Sequence, residues 1–206
     1  SHTVAAGTSR ALFVEIAIDS LGANVTSVTY GTQSLVQVGR STGNHAVEIW
    51  TLVAPTVGTA NITVSFAGST AAAAGATSYN GVNQTTSYSG YAGATGTGTT
   101  SSVTVTSATG DLVIDAQYWQ GIPTGGAVGA SQTLLWELQN ANLTGGSTSE
   151  TGATSVVMSG SFTSSAQWEI GAVSIKAATN IAPVITSNSG GATASVNVTE
   201  NSTAVT

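Results

Sequence analysis

The clearest nucleophile spacing in this chain is Gly39-Arg40-Ser41-Thr42-Gly43, with His45 close behind. A G-x-S-x-G segment activates its serine when a strand precedes it and a helix follows, so that Oγ stands exposed beside oxyanion donors. Here the next segment, HAVEIWTLV, has the pattern of a strand, so a hairpin turn is expected instead. The only other histidine is His2, which leaves little material for imidazole base catalysis. Two carboxylate pairs, Glu15/Asp19 and Asp111/Asp115, share a strand face at i and i+4. That is about 13 Å along a strand, too far for one acid–base pair unless cross-strand pairing brings the groups together. The glycine-rich GYAGATGTGTT lacks the spacing and the lysine of a phosphate loop. No enzymatic activity is expected.

Calcium is the cofactor with a physical case. It takes hard oxygen ligands, and the chain holds Asp, Asn and loop carbonyls but no Cys. Asp19 and Asn24 in DSLGAN and Asp111 in ATGD are the candidate ligands in the main body of the chain. Turn Asp and Asn residues also bond their own backbone, which is the local alternative. Among the aromatics, Trp50, Trp136 and Trp168 lie in apolar strand patterns and read as core. Trp119, Tyr88 and Tyr91 lie near irregular segments, where an exposed ring can stack on a sugar. They are the candidate ligand-binding residues, with packing of their own loops as the alternative.

Composition removes whole classes of partner. Arg10, Arg40 and Lys176 are the only basic residues, and the net charge is −6. Three cations cannot neutralise the phosphates that a nucleic-acid site contacts, so nucleic acid is excluded. No apolar run is long enough for a membrane-spanning helix, because Thr, Ser or Gly interrupts each one. Charged residues make up only 6% of the chain. Six N-x-[ST] sequons occur, at Asn24, Asn61, Asn83, Asn142, Asn197 and Asn201. At Asn61 and Asn197, strand alternation accounts for the pattern as well as glycosylation does.

The elements that would position these residues are strands. RALFVEIAIDS puts Leu12, Val14, Ile16 and Ile18 on one face, with Glu15 on the other beside Phe13. HAVEIWTLV is apolar on both faces and suggests a central strand, and AAAAGATSYNGV reads as a small-residue strand interrupted by Gly75. Between about 10 and 12 such segments, with turns every 8–12 residues, predict an all-β, two-sheet antiparallel sandwich of jelly-roll or Ig-like type. Residues 83–100 and 121–131 break the rhythm and read as long irregular connections. Composition shifts near Ala177, which divides the chain into a sandwich domain at 1–178, a linker at 179–183 and a short strand-forming segment at 184–206.

The segment APVITSNSGGATASVNVTENSTAVT resembles the opening of a cadherin-like repeat of large bacterial surface and secreted adhesin-type proteins; VTEN is its most specific part. The resemblance implies that Glu200 helps bind calcium at a module junction. Residues 1–178 resemble, less specifically, a Ser/Thr/Gly-rich β-sandwich module found beside such repeats, through TSVTYGTQSL, SVTVTSATGDLVID and EIGAVSIKA. The expectation is a non-catalytic, extracellular or cell-surface module whose partners are other copies or neighbouring modules. ATASVNVTE and HTVAAG alternate cleanly enough to serve in β-strand addition. A carbohydrate-binding module that holds glycans through Trp119, Tyr88 or Tyr91 is the second expectation.

Overall fold

The computed structural model describes residues 1–121 and 124–178. In chain order the first strands are β1 (His2–Val4), β2 (Ala11–Ile18), β3 (Val25–Tyr30), β4 (Gln33–Ser34) and β5 (Val36–Thr42). Next come β6 (Ala46–Val53), β7 (Gly58–Ala60), β8 (Ile62–Phe66), β9 (Ala72–Tyr79) and β10 (Tyr88–Thr106). The last are β11 (Leu112–Gln120), β12 (Ala127–Val128), β13 (Thr133–Asn140), β14 (Leu143–Thr151) and β15 (Ser155–Ile175). All pairings are antiparallel, as short turns between consecutive strands require.

The fold is an antiparallel all-β sandwich. A four-stranded sheet, β5-β6-β2-β9, faces a larger sheet ordered β10-β15-β11-β14-β13, with β12 attached to β15. Phe13, Ala17, Val47 and Ile49 from the first sheet meet Ile114, Tyr118, Leu143 and Val173 from the second. The far side of the four-stranded sheet is also covered. Leu12, Val14, Ile16 and Ile18 pack on Val25, Val28 and Tyr30 of β3, in the three-stranded sheet β4-β3-β8. Every residue of β2 is therefore buried, including Glu15.

The small-residue strand predicted around Gly75 is β9, and its glycine has a packing cause. A Cβ on Gly75 would lie 2.2 Å from the Trp136 indole, which rests against that backbone. The central strand predicted for HAVEIWTLV is β6, held between β5 and β2.

Residues 83–100 are not the irregular connection expected from their composition. Most of them belong to β10, a 19-residue strand whose ladder partner is the 21-residue β15. Backbone hydrogen bonds form this ladder without apolar alternation, and Thr tolerates the half-exposed pleat. The ribbon slips register between Gly98 and Thr100 and folds back on itself. Val103, Val105, Val156 and Met158 thereby cover Val113, Ile170 and Ala172 on the outer face of the larger sheet. Gly90 marks the return: a Cβ there would lie 2.6 Å from the Thr106 carbonyl oxygen.

The expected irregular segment at 121–131 contains the short β12, and Glu137 accepts hydrogen bonds from the Gly125 and Gly126 N–H groups at 2.7 and 3.4 Å. HTVAAG is no free strand, since His2–Val4 pairs with Gly58–Ala60. Among the described residues no helix is long and apolar enough to cross a membrane. Residues 179–206, where a linker and a segment resembling a cadherin-like repeat are expected, lie outside the described residues.

Candidate functional site

Two places concentrate chemistry, and the first is a buried polar cluster at one end of the sandwich. Four elements meet there. Asp19 follows β2, His45 precedes β6, Tyr118 lies on β11 and Glu169 on β15. The Tyr118 hydroxyl donates to Asp19 Oδ1 at 2.6 Å, and the His45 ring stacks on Tyr118 with centroids 4.2 Å apart. His45 Nε2 lies 3.7 Å from Asp19 Oδ1, and Nδ1 lies 3.7 Å from Glu169 Oε2. As an imidazolium the ring pairs with both carboxylates; as the neutral ring it cannot donate from both nitrogens.

Glu169 Oε1 accepts from the His45 backbone N–H and the Thr95 hydroxyl, both at 3.3 Å. Its Oε2 and His45 Nδ1 are buried without a hydrogen bond. Burial pushes the Glu169 carboxyl above its usual range, and burial with the Asp19 contact does the same to the Tyr118 hydroxyl.

Ser41 of the G-x-S-x-G segment is bonded away from this cluster. Ser41 lies on β5, its Oγ donates to the Ala94 carbonyl at 3.3 Å, and Gly43 to His45 turn into β6. Gly39 to Thr42 belong to strand β5, so the hairpin turn expected for this segment falls at its end, over Gly43 to His45.

The carboxylate pairs expected along single strands are split. Asp19 serves His45 and Tyr118, while Glu15 accepts from Trp136 Nε1 at 3.0 Å and Thr77 Oγ1 at 3.3 Å. Asp115 accepts from the Thr148 N–H at 2.6 Å, the Thr148 hydroxyl at 3.0 Å and Gln117 Nε2 at 2.8 Å. Burial pushes Glu15 up to about 8 and Asp115 up to about 7, and the Asp115 charge adds to the rise at Glu15. The coupled pair is thus Glu15 with Asp115, across the two sheets.

The residues expected to bind calcium are dispersed. Asn24 Oδ1 accepts from the Arg40 guanidinium. Asp111 accepts from the Ala177 N–H at 3.0 Å, Ser174 Oγ at 3.3 Å and Lys176 Nζ at 3.4 Å. Among the described residues no group of three or more His, Asp or Glu is placed to hold a metal ion. Glu200 lies outside the described residues.

The expected sugar-stacking aromatics pack inward. Trp119 is 2% exposed, and its ring meets Phe162 at 4.8 Å and Trp168 at 6.5 Å. Its position two residues before 121–131 suggested a loop edge, whereas β11 is covered on both faces. Tyr88 and Tyr91 are half-buried against the shared core. Tyr91 fills the space between Gly39 and Gly171, where added Cβ atoms would lie 2.5 and 2.3 Å from it. Trp50 is buried, and Trp136 and Trp168 are partly buried against core clusters, as expected.

The second place is β13, the last strand of the larger sheet. Among the described residues its only ladder partner is β14. Leu135 and Trp136 pack into the core, while Leu134 and Leu138 stay 50% and 49% exposed. A bulge between Leu134 and Trp136 redirects the side chains and permits this split. Sequence reading missed β13 as a sheet-end strand and Glu169 as a member of the buried polar cluster. QTLLWEL signals the exposed leucines, but edge position depends on long-range strand order.

Comparison with protein-family models, curated proteins and solved structures finds no match for this chain.

Proposed function

We propose that the chain is a non-catalytic structural module of a bacterial extracellular surface, matrix or filament protein. It joins neighbouring copies by β-strand addition at β13. The observation that carries this reading is that, among the described residues, β13 ends the larger sheet with β14 as its one ladder partner and carries two half-exposed leucines. Exposed apolar edges are templates for another strand, and natural proteins otherwise blunt them with charge, proline or covering loops.

The occupant is residues 192–200 of a second copy, ATASVNVTE. Its Ala192, Ala194, Val196 and Val198 alternate with Thr193, Ser195, Asn197 and Thr199, enough residues for the eight-residue length of β13. Low charge supports close lateral packing, with few salt-sensitive contacts at a module surface.

Sedimentation and light scattering of the full chain and of a chain lacking residues 184–206 test the proposal. Concentration-dependent association of the full chain, lost on deletion, is the expected result. Equal association of both chains overturns it.

A further inference from the structure

Beside the buried cluster lies an open notch of about 260 Å³. Asn44 of the β5–β6 turn, Thr95 and Thr97 of β10, and Gln167 and Glu169 of β15 line it, with Gly43 and Gly96 between them. We infer that this notch binds a neutral, hydroxyl-rich ligand, a single sugar unit or a polyol of similar size. The inference is separate from strand addition at β13.

The lining chemistry selects the ligand class. No Lys or Arg lines the notch, so an anion would meet Glu169 uncompensated. Glu169 is its only acidic residue, and no metal-holding group exists among the described residues. A divalent cation needs more oxygen charge than that. No apolar side chain larger than glycine's hydrogen faces it, which removes hydrophobic ligands.

What remains is a set of hydroxyl and amide partners around one carboxylate. Glu169 is 1% exposed, and its Oε2 faces His45 Nδ1 at 3.7 Å. Its Oε1, beside Gly43 and Thr95 on the notch side, accepts two long bonds of 3.3 Å, from the His45 N–H and the Thr95 hydroxyl. Buried carboxylate oxygens are strong acceptors, and a ligand hydroxyl is a donor that suits one. Asn44 Nδ2 donates to Gln167 Oε1 at 3.1 Å, which ties the hairpin to β15 and orients both amides. Asn44 Oδ1 then remains an acceptor and Gln167 Nε2 a donor, the complement of neighbouring hydroxyls on a sugar ring.

Gly43 keeps the approach open. A Cβ there would sit 2.3 Å from Thr95 Oγ1 and 2.7 Å from Glu169 Oε1.

Amide NMR titration of the full chain with glucose, galactose, mannose, N-acetylglucosamine and inositol tests the inference, with calcium chloride as a separate arm. At least one polyhydroxylated ligand should shift amides of Asn44, Thr95, Thr97 and Gln167 at millimolar concentration. Gln167→Ala, a partly exposed change, should weaken that binding about tenfold with an unchanged melting temperature. Glu169→Gln should weaken it further, and its spectrum reports whether the fold is kept. The inference is overturned if none of the five ligands shifts these amides, if Gln167→Ala leaves the affinity unchanged, or if calcium alone produces the shifts.

Discussion

Trp136 Nε1, on the open-edged strand β13, donates a 3.0 Å hydrogen bond to Oε2 of Glu15, 121 residues earlier in the facing sheet. One indole therefore anchors the edge strand to a buried carboxyl and lies flat against Gly75. Replacing Trp136 with Phe keeps much of the packing but removes the donor. Leaving a buried polar group short of a partner costs about 1–3 kcal/mol. Urea denaturation of Trp136→Phe should show a loss in that range. Gly75→Ala should cost a similar amount, because its Cβ needs the space the ring occupies. A Gly75→Ala protein as stable as the parent would show that the indole moves freely.

Glu15 and Asp115 make stability depend on pH in an unusual direction. Their folded-state values of about 8 and about 7 stand above those of an unfolded chain, so the folded state holds more protons in between. Stability is then fully present below about pH 4 as far as these two groups are concerned. It declines as pH rises through 7 and 8, where both must ionise in the core. Glu169, also raised by burial, acts in the same sense. Melting temperature should fall by several degrees between pH 5 and pH 8.5. Glu15→Gln, whose amide oxygen takes the Trp136 N–H while its NH2 donates to the Thr77 hydroxyl, should flatten that slope and raise the melting temperature at pH 8.5. An unchanged slope would mean that Glu15 stays ionised within the fold.

Strand periods were readable, and layers were not. ALFVEIAI alternates well enough to place Leu12, Val14, Ile16 and Ile18 together, yet alternation cannot show that β3 and β8 cover that face. Glu15 on its own looks like a surface residue; it becomes a core carboxyl because the opposite face meets β11 and β13. The Gly/Thr segment at 88–100 hides a strand, since its ladder relies on backbone pairing with β15, whose partner residues lie up to 87 positions away (175 − 88). The polar cluster was half-visible. His45 and Asp19 were singled out for other chemistry, but Glu169 lies 124 residues from His45, and only the strand order brings them together.

Asp111 fastens the end of β15. It accepts from the Ala177 N–H, Ser174 Oγ and Lys176 Nζ, in a place where sequence reading set a calcium ligand. Asp111→Ala leaves the Ala177 N–H and the lysine without their acceptor. The expected cost is about 1–3 kcal/mol, with faster amide exchange at Ala177 than elsewhere in the sheet. If Asp111→Ala instead abolished a calcium-dependent rise in melting temperature, metal ligation at this carboxylate would be the better account.

The association proposed at β13 is separable from stability, because Leu134 and Leu138 are half in solvent. Lysine at an edge repels or desolvates poorly against an incoming strand, which is how natural sheets guard open edges. Each change touches a surface position, so the folding cost should stay within about 0.5 kcal/mol. Leu134→Lys with Leu138→Lys should therefore leave urea unfolding almost unchanged while the protein sediments as a monomer where the parent associates. A peptide of residues 192–200 should then compete for the parent's β13 and fail to bind the double variant. Association of the double variant at the parent's concentration would move the interface away from β13. Loss of folding in the double variant would show that these leucines are part of the core after all.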